Sequence, residues 1–335
     1  MTSALRIGIV GLGRLGRRHA ENLAFRVPGA RLVAAASPSA EERDWAAANL
    51  PGLATEPGLP ELPARDDVDA VWLVTPTSFH ADHVVASLES GRHVFCEKPL
   101  ALEVADCDRV LAVAKARPKQ VAMVGFTRRF DPAIAEAKRR IEAGELGKIF
   151  SIRCSSEDAI DPHGFFVRFA PTSGGIYLDC AIHEIDLVRW ILDGAEARTV
   201  TAAGTRLMYP GLAPCGDVDT GFATVTFDGG CVATFHVSRT SHRGFESMLT
   251  IVGTEGALEI GRGLGHLPIT VEKDGGRRVG GLVDFFDRFE TAFLHGARAF
   301  VEAVRAGRPS PLGLDDARAA TALAVRMREA LVVAE

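Results

Sequence analysis

The feature that most restricts this chain is Gly11-Leu12-Gly13-Arg14-Leu15-Gly16, which follows an apolar, Ile/Val-rich run, Leu5–Val10, and opens a stretch with helical character, Arg14–Phe25. Glycines in a G-x-G-x-x-G pattern at a strand–turn–helix junction meet three needs together. The first allows the tight turn, the second lets backbone approach a pyrophosphate, and the third lets the helix pack on the strand. Unpaired N–H groups at the helix start then attract the phosphates. Gly11, Gly13, Arg14, Leu15 and Gly16 are therefore expected to hold a dinucleotide.

The rest of the first third repeats this alternation. Strand character recurs at 31–36, 68–75, 93–96 and 121–124, and helix character at 40–49, 80–90 and 104–116. Strands separated by helical segments of about a dozen residues imply βαβ units and a doubly wound parallel sheet of Rossmann type. Beyond residue 126 the texture changes. A helix at 133–143 leads to strand-like runs at 148–154, 200–203, 220–227, 231–238, 248–252 and 269–273. Asp228-Gly229-Gly230 joins two of them as a hairpin would. Successive strands without helices between them imply an α+β domain with a largely antiparallel open sheet. The expected division is 1–126, binding the dinucleotide, and 127–335, for substrate binding and oligomerisation. Near the C-terminus Phe285, Phe286, Phe289, Phe293, Phe300 and Val304 fall close to one helical face, a core-packing pattern.

Composition narrows the function classes. The 335 residues are 47% hydrophobic and 24% charged, an ordinary globular balance. No apolar run approaches the roughly 20 residues of a membrane span. The net charge of −5 gives no help with nucleic acid or an anionic membrane. Six scattered cysteines without a C-x-x-C pair, and no secretory pattern ahead of Leu5, indicate a reduced cytoplasmic protein. His80 and His83 form an H-x-x-H with no third ligand at useful spacing, so no metal is expected.

Three further signals carry chemistry. About twenty residues past the glycine turn, where an NAD enzyme usually has Asp or Glu for the ribose 2′-hydroxyl, this chain has Ser37. Serine does not repel a 2′-phosphate and Arg14 or Arg43 could meet one. This leans slightly towards NADP or dual use, with Glu41 and Glu42 nearby on the other side. Phe95-Cys96-Glu97-Lys98-Pro99 ends the 93–96 strand, where an open parallel sheet places its ligands. Asp179 and His183 lie four apart, so a continuous helix would stack them, and a carboxylate beside an imidazole suits the latter to take an alcohol proton.

With the glycine turn, Thr75-Pro76-Thr77 and His80, Glu97-Lys98-Pro99, and the Gly-Gly-x3-Asp-x3-His segment in this order, the chain resembles the glucose-fructose oxidoreductase/inositol dehydrogenase/MocA family of NAD(P)-dependent oxidoreductases over nearly its whole length. Phe95 to Leu100, Gly125-Phe126-Thr127-Arg128-Arg129-Phe130-Asp131 and His183-Glu184-Ile185-Asp186 look most like inositol 2-dehydrogenases. The resemblance implies oxidation of a secondary alcohol of a cyclic polyol or sugar. Lys98 would orient the reacting hydroxyl, His183 would be the general base, and Asp179 its partner. Arg128 would line the substrate pocket, while Thr75, Pro76, His80 and Glu97 would border the cofactor. The chain departs from the inositol pattern at Ser155-Ser156-Glu157-Asp158, where a histidine is common, and at Phe245, often tyrosine. Glu157, Asp158, His163 and Arg168 are the candidates to replace those hydrogen bonds, and a related pyranose or deoxy-polyol is the substrate alternative. The resemblance also implies a homodimer or homotetramer built on the exposed sheet face. Two other outcomes exist among similar proteins: an NAD-dependent glycoside hydrolase, and a non-catalytic nucleotide-sensing regulator, which would have no chemical need for Lys98, Asp179 and His183 together.

Overall fold

The structure, a computed structural model, describes residues 4–50, 52–59, 62–261, 270–273, 276–279 and 284–334. The chain divides into two compact units, Met1–Phe130 with Thr291–Thr321, and Asp131–Glu290 with Ala322–Glu335. The sequence pattern assigns all of 127–335 to one domain; residues 291–321 belong with the first unit instead.

In the first unit β1 (Leu5–Val10), β2 (Ala30–Ala36), β3 (Ala54–Glu56), β4 (Ala70–Leu73), β5 (His93–Cys96) and β6 (Ala122–Val124) form one sheet in the order β3-β2-β1-β4-β5-β6. Every neighbouring pair is parallel. The helices α1 (Arg14–Phe25), α2 (Ala40–Asn49), α3 (His80–Glu89) and α4 (Val104–Lys115) lie between successive strands in the sequence. A parallel strand covered on both faces reads as an unbroken apolar run, and β4, Ala-Val-Trp-Leu, is buried throughout. The order of strands reverses between β1 and β4, and ligands of such sheets bind beyond the strand ends at that switch.

The second unit opens with α5 (Pro132–Glu142). Asp131 caps it by accepting from the Ala133 and Ile134 amides at 3.1 and 3.2 Å, and proline occupies the first turn, where its missing N–H costs nothing. Then follow β7 (Ile149–Ala159), α6 (Phe165–Ser173), α7 (Ile176–Asp179), α8 (Ile182–Ile191), β8 (Ala197–Thr205), β9 (Thr220–Phe227), β10 (Val232–Ser241), β11 (Glu246–Gly253) and β12 (Ala257–Ile260). A separate pair, β13 (Thr270–Lys273) and β14 (Gly276–Val279), is antiparallel, and Ile269 of the expected strand lies outside the described residues.

The last elements are α9 (Phe285–Ala306), α10 (Leu314–Glu329) and β15 (Leu331–Val333). The large sheet runs β12-β11-β7-β10-β9-β8-β15. It is mixed: β7 pairs parallel with β10 and β8 with β15, and the other pairs are antiparallel. Along β9 and β10, Ala223, Val225, Ala233, Phe235 and Val237 are buried, while Phe222, Thr224 and Thr234 on the alternate face are exposed. Period-two alternation of this kind marks a sheet covered on one side only.

The phenylalanine stripe is core, but of two cores. α9 departs from helical geometry at Phe289. In the second unit Phe285 and Phe289 meet the buried Phe245 edge-on at 6.4 and 6.2 Å. In the first, Phe293 meets His19 at 5.4 Å, and Phe300 meets Trp72 at 5.6 Å, which itself stacks on Phe95 at 3.7 Å. Burial of each such ring contributes about 1.5–3 kcal/mol.

Candidate active site

Gly11 follows β1 directly and has φ +91°, and a Cβ there would collide with the Val74 carbonyl beyond β4. Gly16 sits on the first turn of α1, where a Cβ would strike the Gly11 carbonyl. Gly13 between them is exposed; it is the N-cap of α1, offers no side chain as a cap, and the first turn carries no acid. The turn thus puts bare backbone N–H groups and the positive end of a helix at the sheet's switch point, which fits the pyrophosphate of a dinucleotide. Arg14 is exposed and Leu15 half-buried beside it.

Ser37, just past β2, is fully buried, and its Oγ donates to Glu42 Oε2 at 2.5 Å. The Arg43 guanidinium donates to the Ser37 carbonyl at 2.6 Å. The Ser37 hydroxyl is thus spent on Glu42, and the other Glu42 oxygen, Oε1, lies 3.7 Å from where a Gly13 Cβ would stand.

At the end of β5 the Glu97 carboxylate is buried between His19 Nε2, at 3.0 Å, and the Lys98 amide, which donates to Oε2 at 3.1 Å. Glu97 therefore fixes the backbone from which half-buried Lys98 projects. His80 is a correction to the sequence reading. It is 1% exposed, with Nδ1 2.7 Å from the Pro99 carbonyl and Nε2 2.8 Å from the Thr75 carbonyl. Its ring ties the Thr75-Pro76 turn to Lys98-Pro99 from behind and shows no edge to a cofactor. Burial lowers its pKa below the usual 6.5, against the opposing pull of those two carbonyls. Thr75 is half-buried with its Oγ1 3.2 Å from His83 Nδ1, and Pro76 is exposed. Arg128 is buried in the short turn after β6.

In the second unit the expected continuous helix is broken. α7 ends at Asp179, Cys180 and Ala181 form the joint, and His183 is the second residue of α8. Both joint residues keep right-handed helical dihedrals, Cys180 at φ −90°, ψ −56° and Ala181 at φ −69°, ψ −15°, so the chain from Asp179 to His183 still turns in the helical sense. A buried ion cluster brackets α7. Asp217 accepts from the Ile176 amide at 2.8 Å and so starts α7, while Arg239 joins Asp217 at 2.8 Å to Asp179 at 3.2 Å and so holds its end. Arg239 is fully buried under the Phe166 ring at 5.3 Å. Burial opposes its charge, yet Cys180, Asp179 and Asp217 outweigh this and hold its pKa above the ordinary arginine value. The Cys180 thiol lies 3.7 Å from Asp158 Oδ2 and 3.8 Å from Asp179 Oδ2, so the two carboxylates converge on it. His183 is half-buried with Nδ1 shielded from solvent.

Of the candidates to replace the missing inositol contacts, Glu157 points away from Asp158 because both belong to β7; it meets Ser155 at 2.8 Å and His236 at 3.4 Å on the open face. His163 and Arg168 are exposed, and Phe245 is core. Sequence reasoning missed Arg239, Asp217 and His19. Two had a signal: Arg239 falls on the inward phase of β10, and His19 on the buried stripe of α1 with Gly16, Ala20 and Leu23. A charged or polar residue in such a phase needs a buried partner. Among the described residues no cluster of three metal-ligating side chains occurs, and no helix is long and apolar enough to cross a membrane.

The strand order, the glycine turn at its switch point and a lysine beyond β5 define a Rossmann-fold, nicotinamide-dependent oxidoreductase. Residues 5–126 match the family described as an oxidoreductase family with an NAD-binding Rossmann fold, and residues 134–259 match the GFO/IDH/MocA C-terminal domain. The chain belongs to this GFO/IDH/MocA oxidoreductase family. It is 38% identical to scyllo-inositol 2-dehydrogenase (NAD(+)) of Bacillus subtilis, over 92% of this chain and 88% of that protein. It is 31% identical to myo-inositol 2-dehydrogenase of Thermotoga maritima, over 98% and 96%. A solved scyllo-inositol dehydrogenase from Lactobacillus casei, with bound NAD(H) and scyllo-inositol, is 34% identical and superposes with a TM-score of 0.91, covering 98% of this chain and 97% of that one.

Proposed function

We propose that this protein oxidises a secondary alcohol of a cyclic polyol, most closely an inositol at C2, to the ketone. The observation that carries the polyol reading is the convergence of Asp158 and Asp179 on Cys180, two hydrogen-bond acceptors held in place in a chain whose relatives bear inositol dehydrogenase names. A nicotinamide, when bound, supplies the two-electron acceptor. Lys98 donates a hydrogen bond to the reacting hydroxyl oxygen and stabilises negative charge as it develops there. His183 takes the hydroxyl proton, contributing about 10²–10⁴ to the rate. Asp179, its position set by Arg239, supports His183 and accepts from a substrate hydroxyl. Arg128 and Asp158 contact the remaining hydroxyls. Gly11, Gly13, Arg14, Leu15 and Gly16 hold the pyrophosphate, Thr75 and Pro76 border the nicotinamide half, and Glu97 acts through the Lys98 backbone.

Mixing purified protein with NAD and either scyllo-inositol, myo-inositol or common aldoses tests this by near-ultraviolet absorbance. The expected result is formation of reduced nicotinamide with an inositol at a higher kcat/KM than with any aldose. A preference for an aldose would overturn the inositol assignment, and no reduction with any of them the polyol reading as a whole. Assembly as a homodimer or homotetramer over the open sheet face, where Phe222 is 52% exposed, is part of the same proposal. Phe222→Glu should then give a smaller particle by light scattering.

A further inference from the structure

We infer that Glu42, presented from helix α2, replaces the missing acid at the end of β2 and makes the protein select NAD over NADP. The inference rests on the dinucleotide reading of the glycine turn. Three observations carry it. Ser37 is buried and donates to Glu42 Oε2 at 2.5 Å, so the carboxylate is folded back onto the strand end instead of extending from α2 into water. Its other oxygen, Oε1, lies 3.7 Å from where a Gly13 Cβ would stand, so the acid reaches the bare-backbone position of the turn. The helix start that carries it is fixed, because the Ser39 side chain accepts from the Glu42 amide at 3.4 Å and the Ser39 amide in turn donates to Ser37 Oγ at 3.1 Å.

Two of the nearby arginines already hold protein groups. Arg43 donates to the Ser37 carbonyl at 2.6 Å. Arg17 donates to the Leu12 carbonyl at 3.2 Å, reaches Glu41 at 3.7 Å and lies over the Trp45 ring at 5.0 Å. A ribose 2′-hydroxyl entering between Gly13 and Ser37 meets an ionised acceptor and donates to it, a charge-assisted hydrogen bond. A 2′-phosphate there meets the same carboxylate with like charge, a repulsion the 2′-hydroxyl does not suffer. Serine at the strand end thus acts as a bracket for a glutamate one helical turn further on, and the identity of residue 37 by itself misleads about the cofactor.

Titration calorimetry of NAD and NADP binding, without substrate, tests the inference. The wild-type protein should bind NAD at least about tenfold more tightly, the span one charged hydrogen bond provides. Glu42→Gln should shrink the ratio of the two dissociation constants by about tenfold or more. Ser37→Ala, which frees the carboxylate without removing it, should shrink it less. Placing the acid at the strand end in Ser37→Asp/Glu42→Gln should restore the NAD preference. An unchanged ratio in Glu42→Gln, with both cofactors still bound, would overturn the role of Glu42 alone. Failure of the wild type to bind either dinucleotide would overturn the reading of the glycine turn and the inference with it.

Discussion

In the first unit the proposed functional residues sit within a few positions of a strand end: Gly11 after β1, Ser37 after β2, Thr75 after β4, Lys98 after β5 and Arg128 after β6. In the second they sit at a break between two short helices, and the side chains that hold them, Asp217 and Arg239, come from about forty to sixty residues further along. A doubly wound parallel sheet aims its ligands by topology, since every strand runs the same way and every strand end faces the same crevice. The second unit has no such rule and fixes Asp179 with a buried charge network instead. One arrangement depends on backbone fit, the other on charge compensation, and the two should fail differently.

The largest effect expected in the first unit is on chemistry. On the proposed mechanism, Lys98→Met should lower turnover by about 10³–10⁴ with NAD affinity kept, since Glu97 holds the Lys98 amide, which the substitution leaves in place. Steady-state kinetics beside calorimetry separate the two, and near-normal turnover would remove Lys98 from the mechanism. In the second unit the largest effect is on stability. Arg239→Met removes the buried countercharge of Asp179 and Asp217 and should cost about 3–5 kcal/mol in urea unfolding. Arg318→Met breaks a surface pair with Asp108 in the first unit and should cost about 1 kcal/mol or less. Equal losses would erase the contrast between the units.

Gly16→Ala tests the backbone fit itself. The added methyl meets the Gly11 carbonyl, so about 1–3 kcal/mol of stability and most of the NAD affinity should be lost together. The smallest effect concerns pH. The folded state keeps His80 neutral below its usual 6.5, so as pH falls through that value the unfolded chain takes up a proton the folded one refuses. Stability should decline from pH 7 to 5, and His80→Gln should flatten the decline by part of the roughly 1.4 kcal/mol per pH unit that one proton allows. An unaltered slope would mean His80 titrates alike in both states.

The same contrast explains what the sequence discloses. The bounds of β1, α1, α2, β5 and β9 agree with the expected runs, because each is set by local signals: apolar periodicity, the glycine turn, Ser39 as a cap. β3, three residues ending in Glu56, and β15, which pairs with β8 more than a hundred residues earlier, carry no local pattern strong enough to be read. β7 extends five residues beyond the expected strand, through Ser155 to Ala159, because polar residues there occupy a sheet with one open face. The Asp179–His183 spacing promises a helix, and no spacing rule reveals that Asp217 and Arg239 bracket α7. Ser37 is visible as an oddity, but its hold on Glu42 is not, since two short polar side chains five residues apart give no sign of which way they turn.

The central claim is that a ring carbon of a polyol gives up its hydrogen, with the electron pair, to the dinucleotide. Scyllo-inositol carrying deuterium on every ring carbon, incubated with the protein and NAD, tests this directly by mass spectrometry of the recovered cofactor. The account predicts one deuterium on the reduced nicotinamide and an inosose product lacking it. Turnover of the labelled polyol with no deuterium on the cofactor would contradict it.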